Sequence, residues 1–253
     1  MTRPTLNFRR FAGIAGMLSA MGLPLSAQAP PSPTWSYSVT PYFWMSGVKG
    51  NVGVGRVAVH VDESFGDILD ALKFGVMAYG EARVSKYFFG LDGMYVSLGD
   101  EKSVAFRGDT GSFSVGQRET MLQPSVGTSI GGATWGLDAL LSARYWRLSA
   151  TLDVSSTNRP PNSRDGSKQW VDGLIGGRAH WSPMTRVHLI GGADGGAGGS
   201  RDTWQLYGAV AGDAMSWLTV SASYRSLLVD YDRSDFLFDT RTSGFLIAAT
   251  VKF

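Results

Sequence analysis

Phe245-Leu-Ile-Ala-Ala-Thr-Val-Lys-Phe253 is the last stretch of the chain and the one that decides its fold. Phe245, Ile247, Ala249, Val251 and Phe253 share one face of an extended segment, with Leu246, Ala248, Thr250 and Lys252 on the other. Successive side chains of a strand point to opposite faces, so a period of two marks a strand. The pattern recurs upstream. Val171, Ile175, Ala179 and Trp181 alternate with Asp172, Arg178 and His180, and Val220, Ala222 and Tyr224 with Thr219, Ser221, Ser223 and Arg225. Stretches of this kind end in clusters of Gly, Pro, Asp or Ser, and helical periodicity is scarce.

A soluble β-sandwich alternates too, so the content of the faces carries the decision. The polar faces hold charges of both signs in mid-strand: Glu81, Arg83, Asp92, Glu119, Asp138, Arg144, Asp172, Arg178, Asp194 and Arg225. The apolar faces end in aromatics, among them Trp35, Phe74, Trp135, Tyr145, Trp181 and Trp204, where a bilayer interface holds such rings. Lipid outside and a polar lumen inside accounts for both faces. The fold class expected is all-β: a transmembrane antiparallel up-and-down β-barrel of ten strands, near 35–48, 74–85, 87–98, 112–128, 133–151, 168–182, 185–197, 202–214, 216–230 and 241–253. Val57, Val59 and Val61 suit a further hairpin, which keeps twelve strands as the alternative, with eight as another. Short connections alternate with long ones at 49–73, 99–111, 152–167, 198–201 and 231–240. With both termini periplasmic, the long set lies outside the cell.

The N-terminus reads as an address. Arg3, Arg9 and Arg10 precede an apolar run from Phe11 to Leu23, and Ala27-Gln-Ala29 follows. A basic region, a short hydrophobic region and an A-x-A site make a signal peptide over 1–29, cut after Ala29 or Ala27, leaving 30–253 as one barrel domain. This bears on charge. The 253-residue chain has 23 basic and 21 acidic residues, a formal charge of +2. Losing the three arginines leaves 20 against 21, and the electrostatic case for nucleic-acid binding goes with them. The 33 glycines suit a curved sheet, and zero cysteines excludes disulfides, thiolate metal sites and a lipidated N-terminal cysteine.

Several segments carry a resemblance. They are Thr40-Pro-Tyr-Phe-Trp44 with Gly47 and Gly50, Asp172-Gly-Leu-Ile-Gly-Gly-Arg178, Ala193 to Gln205, and Ser223-Tyr-Arg225 followed by Asp230-Tyr231. Together they resemble a family of Gram-negative outer-membrane β-barrel proteins, of the small OmpA/OmpW-like or porin-like kind. The resemblance implies architecture and outer-membrane location and names no substrate. The last strand, with Phe245, Ile247, Val251 and a final Phe253, looks like the signal read by the barrel assembly machinery. Outer-membrane lipid and lipopolysaccharide are the other partners implied, around a monomer.

Chemistry is sparse. His180-Trp-Ser182, with Asp194 further on, has the spacing of a barrel lipase and is the alternative function, an outer-membrane hydrolase of the lipase or deacylase kind. With a turn at 183–184, His180 would oppose a residue near 187, putting Asp194 about 20 Å away at strand rise. His60-Val-Asp62 is a weak protease-like match, and the glycines of 191–199 lack the following helix a nucleotide loop needs. Asp230, Asp232, Asp235 and Asp239 lack calcium-loop spacing. No enzyme activity, cofactor or metal is expected. Ser64-Phe-Gly-Asp-Ile-Leu-Asp-Ala-Leu72 sets Phe65, Ile68, Leu69 and Leu72 at helical spacing behind a Ser64–Asp67 capping pair, a short helix in the first external loop and a candidate plug of the pore. The ten lumen charges are expected to pair into a network that fills a narrow barrel. The function expected is thus a structural barrel or a narrow porin-like passage for small solutes.

Overall fold

The computed structural model describes residues 34–253 apart from 55–56, 107–108, 133, 157–158 and 234–235; for 54–57, 100–115 and 152–165 it describes backbone only. The signal peptide and its cleavage sites lie outside the described residues. Eleven strands and one helix follow in chain order: β1 (Trp35–Val54), β2 (Val57–Glu63), α1 (Phe65–Ala71), β3 (Leu72–Val84), β4 (Tyr87–Phe106), β5 (Asp109–Gly131), β6 (Trp135–Ser156), β7 (Arg159–Met184), β8 (Val187–Gly198), β9 (Asp202–Met215), β10 (Leu218–Arg233) and β11 (Phe236–Lys252).

Every neighbouring pair is antiparallel, and β11 pairs with β1, so ten strands close into an up-and-down barrel with β2 as an addition. The residues around Val57, Val59 and Val61 do form a hairpin arm, but β2 pairs only with the far half of β1 and leaves the ring at ten. Following the register from Ser38 through each strand in turn returns to β1 at Gly50, a stagger of 12 residues (50 less 38). A stagger of that size tilts the strands by about 40°. Turns at the end carrying the termini are tight: Ser85, at φ 54°, helps close β3 to β4.

The connections expected as long loops at 99–111, 152–167 and 231–240 are instead continuations of the hairpins. Pairing of β4 with β5 runs out to Phe106 and Asp109, that of β6 with β7 to Ser156 and Arg159, and that of β10 with β11 to Arg233 and Phe236. The reason lies in a change of hydrophobic phase. On β6, Leu137 and Leu141 face out while Asp138 and Arg144 are buried inside; past Tyr145, Trp146 and Leu148 are buried inside and Arg147 is exposed. On β7, Val171 and Ile175 face out, and beyond them Trp170 points in and Gln169 out. On β10, Tyr224 faces out, whereas Leu227, Val229 and Tyr231 are buried and Asp232 is exposed. The strands run on without a bulge here, but their apolar face moves from the outside to the inside.

The outer surface between the two levels is an apolar band. Trp35, Tyr87, Trp135, Trp181 and Trp217 ring it toward the termini, and Phe74, Tyr224 and Phe245 toward the other end. That is the arrangement a bilayer requires, since lipid offers the wall no hydrogen bonds and the ring pairs its strands all round except between residues 42–47 of β1 and 72–77 of β3. Beyond the band, Trp44, Met94, Met121, Trp146, Trp170 and Phe238 form an interior core like that of a water-soluble barrel.

Candidate functional site

The lumen is divided in two by a polar partition. Arg144, fully buried on β6, donates from Nη2 to Asp194 Oδ1 at 2.7 Å, from Nε to Gln123 Oε1 at 2.9 Å and from Nη1 to Thr203 Oγ1 at 2.8 Å. Arg225 on β10 donates to Gln205 Oε1 at 2.7 Å, lies 3.2 Å from Asp92, and stacks its guanidinium 4.9 Å over Trp44. Tyr42 completes the layer, donating its hydroxyl to Asp92 at 2.7 Å. Two arginines thus meet two carboxylates across the barrel, held by amides that fill the remaining valences. Removing charges from water is costly unless they are paired and bonded in this way.

Toward the termini lies a polar vestibule of about 420 Å³. Its ion pairs form a second cluster: Arg178 bridges Asp138 at 2.7 Å and Glu81 at 2.8 Å, while Arg83 reaches Asp138 at 3.0 Å and also pairs with Glu81. Phe88 receives both guanidinium groups on its ring, at 4.8 and 5.2 Å. Serines and threonines of β1, β5, β10 and β11 line the rest.

Eight of the ten charges singled out from the sequence therefore gather into these two clusters, and two stand apart. Asp172 is fully buried but takes Trp170 Nε1–H at 3.0 Å and the Ser200 amide at 2.7 Å, with no arginine paired to it among the described residues. Glu119 lies beyond the partition altogether, in an apolar chamber. Both point inward as expected. Glu119 is kept from the ion pairs by its height along the barrel, whereas Asp172 lies opposite Arg144 with its carboxylate taken by Trp170 and Ser200.

The chamber has a volume of about 480 Å³ and lies in the far half of the lumen. Phe65, Ile68, Leu69 and Leu72, the four residues of the candidate plug, all line it, so α1 forms one of its walls. The helix is started by the expected capping box: the Ser64 hydroxyl accepts from the Asp67 amide at 3.3 Å, and the Asp67 carboxylate accepts from the Ser64 amide at 2.8 Å. Those bonds hold the Asp67 carboxyl below its ordinary range. Gly47 is needed where the chain crosses β1 into α1, because a Cβ there would stand 2.8 Å from the Glu63 carbonyl oxygen.

The hydrolase residues are arranged otherwise than expected. His180 opposes Ile190 rather than a residue near 187, because β7 continues to Met184 and its turn falls two residues later, with a bulge at Pro183. Its ring covers Gly136 in the vestibule. Ser182 instead meets His188, Oγ to Nδ1 at 2.8 Å, and His188 Nε2 meets Asp213 Oδ2 at 3.0 Å. Asp213 also accepts from Lys252 at 2.9 Å and from Thr219. Sequence reading missed this relay because its members come from β7, β8 and β9, and only the inward parity of each was legible. His60 contacts Asn51 at 3.1 Å and Asp62 pairs with Lys49, so that protease-like match has no shared site. Asp230 lies beside Arg201 at 3.6 Å, and among the described residues no group of three or more His, Asp or Glu is placed to hold a metal ion. Phe245, Ile247 and Phe253 of the assembly signal are exposed on the outer wall, with Val251 half-buried among them.

No protein-family model matches the chain, and no curated protein matches it. Solved structures do. The barrel is similar to the outer membrane protease OmpT from Escherichia coli, with a TM-score of 0.57 and 8% identity over 88% of this chain and 97% of that one. The P. putida toluene transporter TodX has a TM-score of 0.36 and 11% identity, covering 88% of this chain and 90% of its own. Neisserial surface protein A has a TM-score of 0.35 and 10% identity, covering 86% and 97%. At such identities the likeness is one of fold alone. It agrees with the geometry: the chain has the closed antiparallel barrel fold of Gram-negative outer-membrane proteins.

Proposed function

We propose that this protein is an integral outer-membrane barrel that acts without enzymatic chemistry, with its lumen sealed rather than open to solutes. The observation that carries this reading is the partition. Arg144, Asp194, Arg225, Gln123 and Gln205 are all buried and mutually bonded across the barrel, and Trp44 backs them. A porin-like passage would have to break ion pairs whose partners would then stand unpaired in a low-dielectric interior. Both termini are periplasmic in this reading, supported by the tight turns at their end and the long hairpins at the other. Outer-membrane lipid and lipopolysaccharide meet the apolar band, and the exposed Phe245, Ile247 and Phe253 suit strand addition by the assembly machinery. The protein acts as a monomer.

Planar-bilayer recording on the purified full chain tests the seal. Flat traces are expected for wild type, and regular single-channel steps would overturn it. Heat-modifiable gel migration tests the barrel itself, which requires a shift between unboiled and boiled samples.

A second reading attaches to Ser182, His188 and Asp213, whose hydrogen bonds follow the order of a hydrolytic relay. Lys252 shares the Asp213 carboxylate, which favours a structural tie among β7, β8, β9 and β11. Ester hydrolysis by wild type that disappears in both Ser182→Ala and His188→Ala would make the enzyme reading the correct one.

A further inference from the structure

The wall of the barrel has a seam. β1 pairs with β3 only from Trp35 with Val84 to Pro41 with Ala78, and with β2 only from Val48 onward. Between them, residues 42–47 of β1 bond to β11 on one side and to no strand on the other. Residues 72–77 of β3 likewise pair with β4 alone. Pro41, opposite Ala78, is the last residue of β1 in this ladder. The seam is flanked by Phe43 on β1 and by Phe74 and Val76 on β3, all exposed on the outer wall at the edge of the apolar band. Across it lies α1, with Phe65 edge-on to Phe43 at 6.0 Å between ring centres.

The chamber reaches this seam from within. Phe43, exposed on the outer wall, and Gly75 of β3 are both among its lining, so the chamber extends to the wall between β1 and β3. Its walls are mostly Met, Leu, Val and aromatic side chains, with Glu63, Gln117 and Lys168 also in the lining, and its volume is that of small-molecule sites, about 300–1,000 Å³. Its floor is the partition. Of the two carboxylates in this lining, Glu63 is exposed and Glu119 is half-buried. The latter faces Leu148 across the β5–β6 ladder and is diagonal to Trp146, and among the described residues its carboxylate has no hydrogen-bond partner. Trp146 Nε1–H, also in the wall, has none either. A carboxylate set in apolar walls without a partner is costly, and a donor brought in by a ligand would relieve it.

We infer that the chamber is a binding site for a slender single-chain amphiphile whose polar end donates a hydrogen bond, a long-chain amine or alcohol, and that it enters sideways from the bilayer through the β1–β3 seam. The hydrocarbon lies against Met77, Met94 and Leu148, and the donor is set on Glu119. α1 is the movable part of the doorway, since it lies against β1, β2 and β4 and covers the opening without closing the ladder. This site goes beyond the sealed-barrel reading and stands apart from it. Conductance tests the floor of the chamber, and binding tests its contents.

Native mass spectrometry of the folded full chain, incubated with dodecylamine, dodecanol or dodecanoate, is the deciding experiment. One-to-one adducts are expected with the amine and the alcohol, at least ten-fold more abundant than with the carboxylate of equal chain length. Glu119→Leu should erase that preference while keeping the heat-modifiable shift, and Val96→Trp, which fills the chamber, should remove adducts of all three. Equal adducts with all three probes in wild type would overturn the role of Glu119. Adducts undiminished in a folded Val96→Trp barrel would overturn the site. A two-chain phospholipid that co-purifies one-to-one and resists displacement by dodecylamine would assign the chamber to the bilayer's own lipid and overturn the proposed occupant. If Val96→Trp does not fold, Phe65→Trp at the doorway replaces it; slower adduct formation is expected, and an unchanged rate would overturn the sideways route.

Discussion

The half of the barrel within the apolar band and the half beyond it are made by the same strands, yet they are turned inside out with respect to one another. Near the termini, β6 shows Leu137 and Leu141 to the outside and buries Asp138 and Arg144; further on it shows Arg147 and buries Trp146 and Leu148. One solvent change accounts for the reversal. In lipid the outside must be apolar and the lumen is the only place for polar groups, whereas in water the lumen becomes the place to hide apolar ones. The partition sits where the two regimes meet, and everything distinctive about the molecule is near that level: the ion pairs, the seam and the chamber.

The comparison breaks most severely at the partition. Arg144→Leu leaves Asp194 buried with only amide partners, and a loss of about 3–5 kcal/mol is expected in denaturant unfolding of the folded barrel. Adding Asp194→Leu should recover much of that loss; a double variant as weak as the single one would mean the layer holds by packing and not by charge. Beyond the partition, Leu148→Ala should cost about 2–5 kcal/mol, as in a water-soluble core. A value below 1 would deny that the far half has such a core.

The outer face of β6 gives the sharper contrast. Leu141→Lys places a charge in the middle of the apolar band, with an expected cost of about 2–4 kcal/mol. Arg147→Leu, six residues along on the same face, should stay within about 0.5 kcal/mol. Equal costs at the two positions would move the boundary of the bilayer.

A gentler probe is the start of α1. Asp67 holds its carboxyl low through its bonds to Ser64, so its contribution is present above the ordinary Asp range near about 3.9. As the pH falls through the lowered folded value, the contribution is lost. Amide exchange at Ile68, whose N–H bonds to the Ser64 carbonyl, should quicken on acidification while that of β6 stays slow. A small effect also belongs to the β1–β2 arm, where Lys49 and Asp62 are both exposed. Lys49→Ala should change stability by no more than about 1 kcal/mol, read from the same denaturant curves.

Inward or outward parity was legible in the sequence for every lumen charge, because it needs only the period of two. Height was not. Glu119 and Arg178 look alike as mid-strand charges, but the stagger of the ring puts one in an apolar chamber and the other in the vestibule. Strand ends failed for a related reason: the apolar face changes side near Tyr145 and near Trp170, and a change of phase reads as the end of a strand. The helix over 65–71 was legible because its cap and its spacing are local. The relay of Ser182, His188 and Asp213 was not, since three strands must be in register before its members meet.

The junction of β1 with β11 also sets an order of events in folding. Ser38 and Lys252 are neighbours in space and 214 positions apart along the chain, whereas β2 and α1 fold back on β1 from within about 25 residues. Contacts of short range form early and those of long range late. The arm that covers the seam can therefore be in place while the ring is still an open sheet, and the doorway would be hung before the room is closed.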